Sequence, residues 1–182
     1  TKTGNFLFAR YISKLTQPEK WFHQTEFSWE VGTIETLPEL YEHFKEALYI
    51  SVDIETPRGQ IAPFPYCVGF CGCWIDAEGK FTTHTVVIPT DTLDMWNWVR
   101  AFNKLPGAKV TQNGQYDNSY FLRYAAPMHN WLWDTLNLFH SWYSELPKRL
   151  DFITSFAIRD VQYWKDEGKS GNLEDQYRYN AR

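Results

Sequence analysis

The sequence predicts an α/β domain on a mixed β-sheet, three antiparallel strands followed by parallel strands, flanked by helices. Three observations carry this. β-branched and aromatic runs mark strands at Tyr49 to Ile54, Tyr66 to Trp74 and Phe81 to Ile88, the last two joined by a hairpin turn at Asp76-Ala77-Glu78-Gly79. Apolar residues recurring every 3.6 positions mark helices around them. The order strand, strand, strand, helix, strand, helix joins an antiparallel unit through a helical crossover to a parallel strand.

Residues 1–30 are mixed and aromatic-rich, with Phe6, Phe8, Trp21 and Trp29 among them, and read as a short helix and an extended arm packing on the domain. Residues 1–32 are taken as an N-terminal extension and 33–182 as the domain proper. Thr36 is placed to cap a helix over 37–47, with Glu39 completing a capping box and Pro38 in the first turn. Leu37, Leu40, Tyr41, Phe44 and Leu48 follow the helical period into the Tyr49 strand. Pro57 to Pro65 is a loop. Asp91 or Thr92 opens a helix over 92–104, which Leu105-Pro106-Gly107 stops. Ala108 to Thr111 is a short strand, followed by a helix over 115–124. A short strand at 131–133 precedes helices over 134–144 and 150–158, and a polar stretch from Lys165 to Asn172 leads to a last helix.

Composition limits the possibilities. At 182 residues, 43% hydrophobic and 22% charged, the chain fits one folded domain with a sizeable core. No apolar run approaches the roughly 18 residues of a spanning helix, so no membrane partner is expected. A net charge of −4 argues against coating duplex nucleic acid by bulk electrostatics, though not against a cleft charged by bound metal. Aromatics reach 18%, with nine Trp; most belong to the core and some could stack unpaired bases. Cys67, Cys71 and Cys73 share one strand face and read as reduced thiols; without His or Cys partners at ligand spacing, zinc is not expected. His84, His129 and His140 are scattered and read as structural. The chain starts Thr1-Lys2-Thr3-Gly4, neither an initiator Met nor a signal peptide, and is expected to be a piece of something longer.

The chemistry gathers at Tyr49-Ile50-Ser51-Val52-Asp53-Ile54-Glu55-Thr56. Alternation points Ile50, Val52 and Ile54 toward a core and Asp53 with Glu55 the other way, at the strand's C-terminal end. Two carboxylates on one face repel unless a cation or proton lies between them, and hard oxygen donors suit Mg²⁺ or Mn²⁺. Asp117 falls in the first turn of the helix after the Ala108 strand. There it either complements the helix dipole or, if that strand runs parallel beside Tyr49–Ile54, joins Asp53 and Glu55 at one sheet edge.

These motifs resemble those of the DEDD 3′–5′ exonucleases, and look most like the proofreading domain of family A DNA polymerases from bacteria and phages. The first motif matches Asp53-Ile54-Glu55-Thr56 and the second Asn113-Gly114-Gln115-Tyr116-Asp117. The third, Tyr-x-x-x-Asp on a late helix, is met at Tyr179, with its Asp expected next after Arg182. The resemblance covers roughly residues 33–182 and implies a ribonuclease H-like fold. It implies two divalent cations, Mg²⁺ or Mn²⁺, held by Asp53, Glu55 and Asp117. Glu55 and Tyr179 would orient the attacking water, while Thr56, Gln112, Asn113 and Tyr116 would bind the terminal nucleotide. The implied partners are a single-stranded DNA 3′ end and a polymerase domain C-terminal to this fragment, in the cytoplasm, of the host if phage-encoded. The resemblance's apolar wedge falls at Gly59, with Ile61 the nearest apolar residue. Lys148 and Arg149 are candidate phosphate contacts or a solvated pair. A free-standing RNase D-like exoribonuclease and a catalytically silent nucleic-acid-binding module are the alternatives.

Overall fold

The computed structural model describes residues 27–57, 64–158 and 172–181. The reading of residues 1–26, the wedge positions Gly59 and Ile61, and nearly all of the polar stretch from Lys165 lie outside the described residues. In chain order the first elements are β1 (Trp29–Val31), α1 (Leu37–Phe44), β2 (Tyr49–Glu55), β3 (Cys67–Ile75), β4 (Phe81–Pro89) and α2 (Leu93–Asn103). There follow β5 (Ala108–Thr111), α3 (Gly114–Arg123), β6 (Trp131–Asp134), α4 (Thr135–Trp142), α5 (Leu150–Ala157) and α6 (Leu173–Ala181).

The strands form one sheet in the order β1-β4-β3-β2-β5-β6. β2, β3 and β4 pair antiparallel, whereas β5 joins β2, and β6 joins β5, in parallel. This is the mixed sheet the periodicity predicts. β1 is an addition: Trp29–Val31, read from sequence as part of an arm, runs parallel to Thr85–Val87 as an edge strand. His84 ties it in place, its ring nitrogens meeting Ser28 Oγ at 2.7 Å and Glu30 Oε1 at 3.0 Å.

The alternation in β2 has the expected consequence. Ile50, Val52 and Ile54 are buried together with Val68, Phe70, Val86 and Ile88 on one sheet face. Leu37 and Phe44 of α1, Val99 and Phe102 of α2, and Phe121 of α3 close that core. Truncating any of its buried phenylalanines to Ala costs about 3–5 kcal/mol. On the opposite face Cys67, Val87 and Ala181 are buried together, with Trp29 and Tyr177 packed against them, so α6 lies over the side that carries Asp53 and Glu55. The three cysteines are free, as expected of reduced thiols.

The capping box expected at Thr36 does not form. Thr36 already has helical backbone angles and its side chain caps nothing in α1. Leu37 N–H donates instead to Thr33 O at 2.9 Å, so the turn begins earlier, and Thr33 and Thr36 exchange backbone-to-hydroxyl bonds. At α2 the expected cap is present: Thr92 Oγ1 accepts from Met95 N–H at 3.2 Å.

Candidate active site

The crevice follows from strand register. β2 and β5 pair only through Tyr49–Ser51 and Ala108–Val110. Beyond Ser51, Asp53 and Glu55 continue without a β5 partner, while the chain leaves Thr111 and turns into α3. Ligand crevices of open α/β sheets lie at such C-terminal strand ends. Asn113 makes the turn in the left-handed conformation (φ 61°), a region Asn tolerates better than most residues. Gly114 then allows α3 to start hard against β5, since a Cβ there would sit 2.2 Å from Thr111 Oγ1.

Asp117, one turn into α3, is buried at 3% exposure, whereas Asp53 is exposed and Glu55 half-buried. Burial first, then the neighbouring Asp53, Glu55 and Asp134, together push the Asp117 carboxyl up to about 8. Asp117 thus shares one electrostatic environment with these carboxylates, and that environment favours its neutral form. Asp53 and Glu55 are close enough to Asp117 to act on its carboxyl. Cys67, opposite Glu55 in the β2–β3 register, feels the same field: burial first, then Glu55 and Asp53, push its thiol well up.

Whether these residues fit divalent cations is a question of donor chemistry and spacing. Among the described residues no three Asp, Glu, His or Cys side chains form a ready cage for a metal ion. The donors are all hard oxygens, however, and their mutual repulsion is what a cation relieves. Mg²⁺ is ordinarily held by one or two carboxylates with water and substrate phosphate completing the shell, not by an all-protein cage. The set fits such an open site.

The remaining sequence-derived candidates divide. Thr56 Oγ1 and Tyr116 OH lie 3.0 Å apart, joining the end of β2 to α3 beside the carboxylates. Tyr116 is 47% exposed and Asn113 is exposed, so both are open to a ligand. Tyr179 is half-buried on α6, next to Asn180, which reaches Asp53. Gln112 is already engaged: its amide donates to Lys148 O at 3.1 Å and accepts from Thr135 Oγ1. Lys148 is engaged too. Its ammonium donates to the carbonyls of Tyr143, Ser144 and Leu146, which removes it as a phosphate contact. Arg149 pairs with Asp151 in an exposed ion pair.

Two residues at the site escape sequence reasoning. Asp134 caps α4 through Leu136 N–H and Asn137 N–H, and also accepts from Asn113 N–H at 3.1 Å and Gly114 N–H at 2.8 Å. One carboxylate thus holds the starts of two helices, including the one that carries Asp117. Its position before Thr135 at the strand-to-helix junction is a capping signal, but nothing local discloses the second helix. The other is Asn180, whose Nδ2 donates to Asp53 Oδ2 at 3.3 Å. Gly69 permits this approach, because a Cβ there would lie 2.3 Å from Asn180 Oδ1.

The sheet order, its three antiparallel strands followed by parallel ones, and the flanking helices define a ribonuclease H-like exonuclease fold. Among solved structures the chain is similar to Escherichia coli RNase D, described as an exoribonuclease involved in structured RNA processing, at 20% identity and a TM-score of 0.61. It is similar also to the EXO domain of Aedes aegypti Nibbler (13% identity, TM-score 0.60) and the catalytic core of Trypanosoma brucei RRP6 (13%, 0.61). These matches cover 86%, 87% and 89% of this chain respectively. They span 41% of the RNase D chain, 84% of the Nibbler domain and 44% of the RRP6 core. No protein-family model and no curated protein sequence matches it.

Proposed function

We propose that the chain is a divalent-metal-dependent 3′–5′ exonuclease acting on single-stranded 3′ ends. The observation that carries this reading is the buried Asp117, strained by the neighbouring Asp53 and Glu55 at the crevice where β2 and β5 part. Clustered carboxylates that raise one another's pKa at a strand-end crevice are a common mark of a functional site, and a cation there would relieve their repulsion.

In this reading Asp53, Glu55 and Asp117 hold Mg²⁺ or Mn²⁺, which when bound supplies charge stabilisation for in-line displacement at phosphorus. Glu55 and Tyr179 orient the attacking water by hydrogen bonds; a phenol with an ordinary pKa near 10 suits orientation better than proton abstraction at neutral pH. Water adds to the terminal phosphorus, the P–O3′ bond breaks, and the 3′ oxygen of the shortened strand takes up a proton. Thr56, Asn113 and Tyr116 hold the terminal nucleotide, the Tyr116 ring offering a stacking face. Gln112 serves through its bonds to Lys148 O and Thr135, keeping the turn before α3 in place.

On substrate, the solved relatives support an RNase D-like exoribonuclease ahead of the proofreading domain that the motif resemblance puts first, since the RNase D relative is described as acting on RNA. The succession of Asp53-Ile54-Glu55 and Asn113-Gly114-Gln115-Tyr116-Asp117 with Tyr179 is common to both readings and does not decide between them. Paired single-stranded RNA and DNA of one sequence, labelled at the 5′ end and incubated with the full chain in Mg²⁺ or Mn²⁺, decide between them. A ladder shortening from the 3′ end is expected, faster on RNA for an RNase D-like enzyme. Binding without shortening of either strand would identify a silent module instead.

A further inference from the structure

One end of a sheet face is apolar and exposed. On the face that carries Asp53 and Glu55, α6 packs over the end nearest those carboxylates, against Cys67 and Val87. At the other end of that face the β2–β3 register sets Tyr49 beside Cys73, and the β3–β4 register sets Ile75 beside Phe81. Tyr49 is 44% exposed, Ile75 51% and Phe81 61%. Exposed apolar side chains scattered singly are ordinary, but neighbouring ones on adjacent strands form a patch, and such patches mark contact surfaces.

The direction of β1 decides which part of the chain arrives there. β1 runs parallel to β4 with Trp29 opposite Thr85. Two positions earlier, Phe27 falls level with Thr83 on the same face, where its ring stacks on Trp29 at 6.5 Å. Residues 1–26 therefore reach the sheet from the end at which Ile75 and Phe81 lie. In the order β1-β4-β3-β2 the patch is at most three strand spacings away, roughly 14 Å. The eleven residues 16–26 can span about 36 Å when extended, more than enough to cross it.

The pattern of that segment suits the patch. Phe8, Tyr11, Ile12 and Leu15 recur at i, i+3, i+4 and i+7, one stripe of a helix, with Arg10, Ser13 and Lys14 on the other side and Pro18 beyond to stop it. Residues 1–26 hold four Lys or Arg and two Glu, a net charge of +2 in a chain of −4, which leaves −6 on the remainder. Charge and tethering both favour this segment over a second copy, which would set one acidic chain against another.

We propose that residues 8–15 dock as an amphipathic helix on the face formed by Tyr49, Cys73, Ile75 and Phe81, completing the cover that α6 begins. The docking is independent of the chemistry at the crevice.

The test uses the full chain with p-benzoylphenylalanine replacing Tyr11, irradiated as an equal mixture of ordinary and ¹⁵N-labelled protein. Cross-linked peptides should join position 11 to Tyr49 or to the Cys73–Phe81 hairpin, within chains of one isotope. Links between isotopes would put a second copy on the face; links elsewhere, or none, would leave the face without this segment. Each of these overturns the proposal. A melting cycle on the full chain reads the same contact from both sides. At a free surface Phe81→Ser should shift Tm by no more than about 2 °C. Docking predicts a fall of roughly 3–10 °C for Phe81→Ser and for Tyr11→Ser, with the double variant losing little beyond the larger single loss. A parental Tm for Phe81→Ser, or losses that add in full, likewise rules the docking out.

Discussion

The amide of Asn180 donates to the carboxylate of Asp53 across 127 positions of sequence, at 3.3 Å. The bond joins α6 to the exposed end of β2 and engages Asp53 Oδ2. Asn180 Oδ1 is buried without a hydrogen-bond partner among the described residues. Asn180→Ala removes both features. Hydrogen bonds to charged groups contribute about 1.5–3 kcal/mol, so kcat should fall roughly 10- to 100-fold. The melting temperature should change little, because the lost bond is partly offset by removal of the orphaned oxygen. Single-turnover release of nucleotide checks this; a variant as fast as the parent shows that Asp53 needs no such alignment.

Asp53→Ala, Glu55→Ala and Asp117→Asn should each lower nucleotide release by at least about a hundred-fold, the usual effect of losing a group that stabilises charge at the reacting centre. Asp117→Asn should also melt higher than the parent in EDTA at pH 8, because it removes a buried carboxylate that three others, Asp53, Glu55 and Asp134, act against. Calorimetry beside the activity assay separates these effects, and full activity in Asp117→Asn eliminates it as a ligand.

The pH dependence has a definite sign. The Asp117 carboxyl is pushed from 3.8 to about 8 on folding, so between these values the folded chain binds more protons than the unfolded one. Its favourable contribution is full below about pH 4 and is lost as pH rises through about 8, with a slope of at most about 1.4 kcal/mol per pH unit. Metal-free stability should therefore decline from acidic to mildly basic pH. Saturating Mg²⁺ should cancel most of that decline, and Asp117→Asn should flatten it. Denaturant titrations at stepped pH, with EDTA or Mg²⁺, measure all three; a parent and an Asp117→Asn variant with the same slope would contradict this account.

Asp134→Ala uncaps α3 and α4 together. Each lost cap costs about 0.5–2 kcal/mol, which for a domain of this size lowers the melting temperature by roughly 2–15 °C in all. Asp134→Asn keeps an acceptor oxygen and should recover part of the loss. Activity should fall more than stability, since Asn113 and Asp117 both depend on the start of α3. Thermal melts and Mg²⁺-dependence curves on both variants test this; an Asp134→Ala protein with parental Mg²⁺ dependence would show that the cap does not position the site.

Local pattern alone determined much of this molecule. Alternation at Tyr49–Glu55 assigned Asp53 and Glu55 to the face away from the core, and the turn chemistry at Asp76–Gly79 paired β3 with β4, because side-chain direction in a strand is set by parity and a tight turn leaves its strands one register. The same reasoning placed Asp117 one turn into a helix after a strand. Tertiary structure decided the rest. The parallel pairing of β2 with β5 for only three residues, the second helix held by Asp134, the reach of Asn180 past Gly69 to Asp53, the edge strand Trp29–Val31 and the engagement of Lys148 with three carbonyls all join segments far apart in the chain or depend on how the backbone folds back. Periodicity records which way a side chain points. It does not record how deeply a group is buried or what stands opposite, and at this site burial first and the facing carboxylates second set the charge on Asp117.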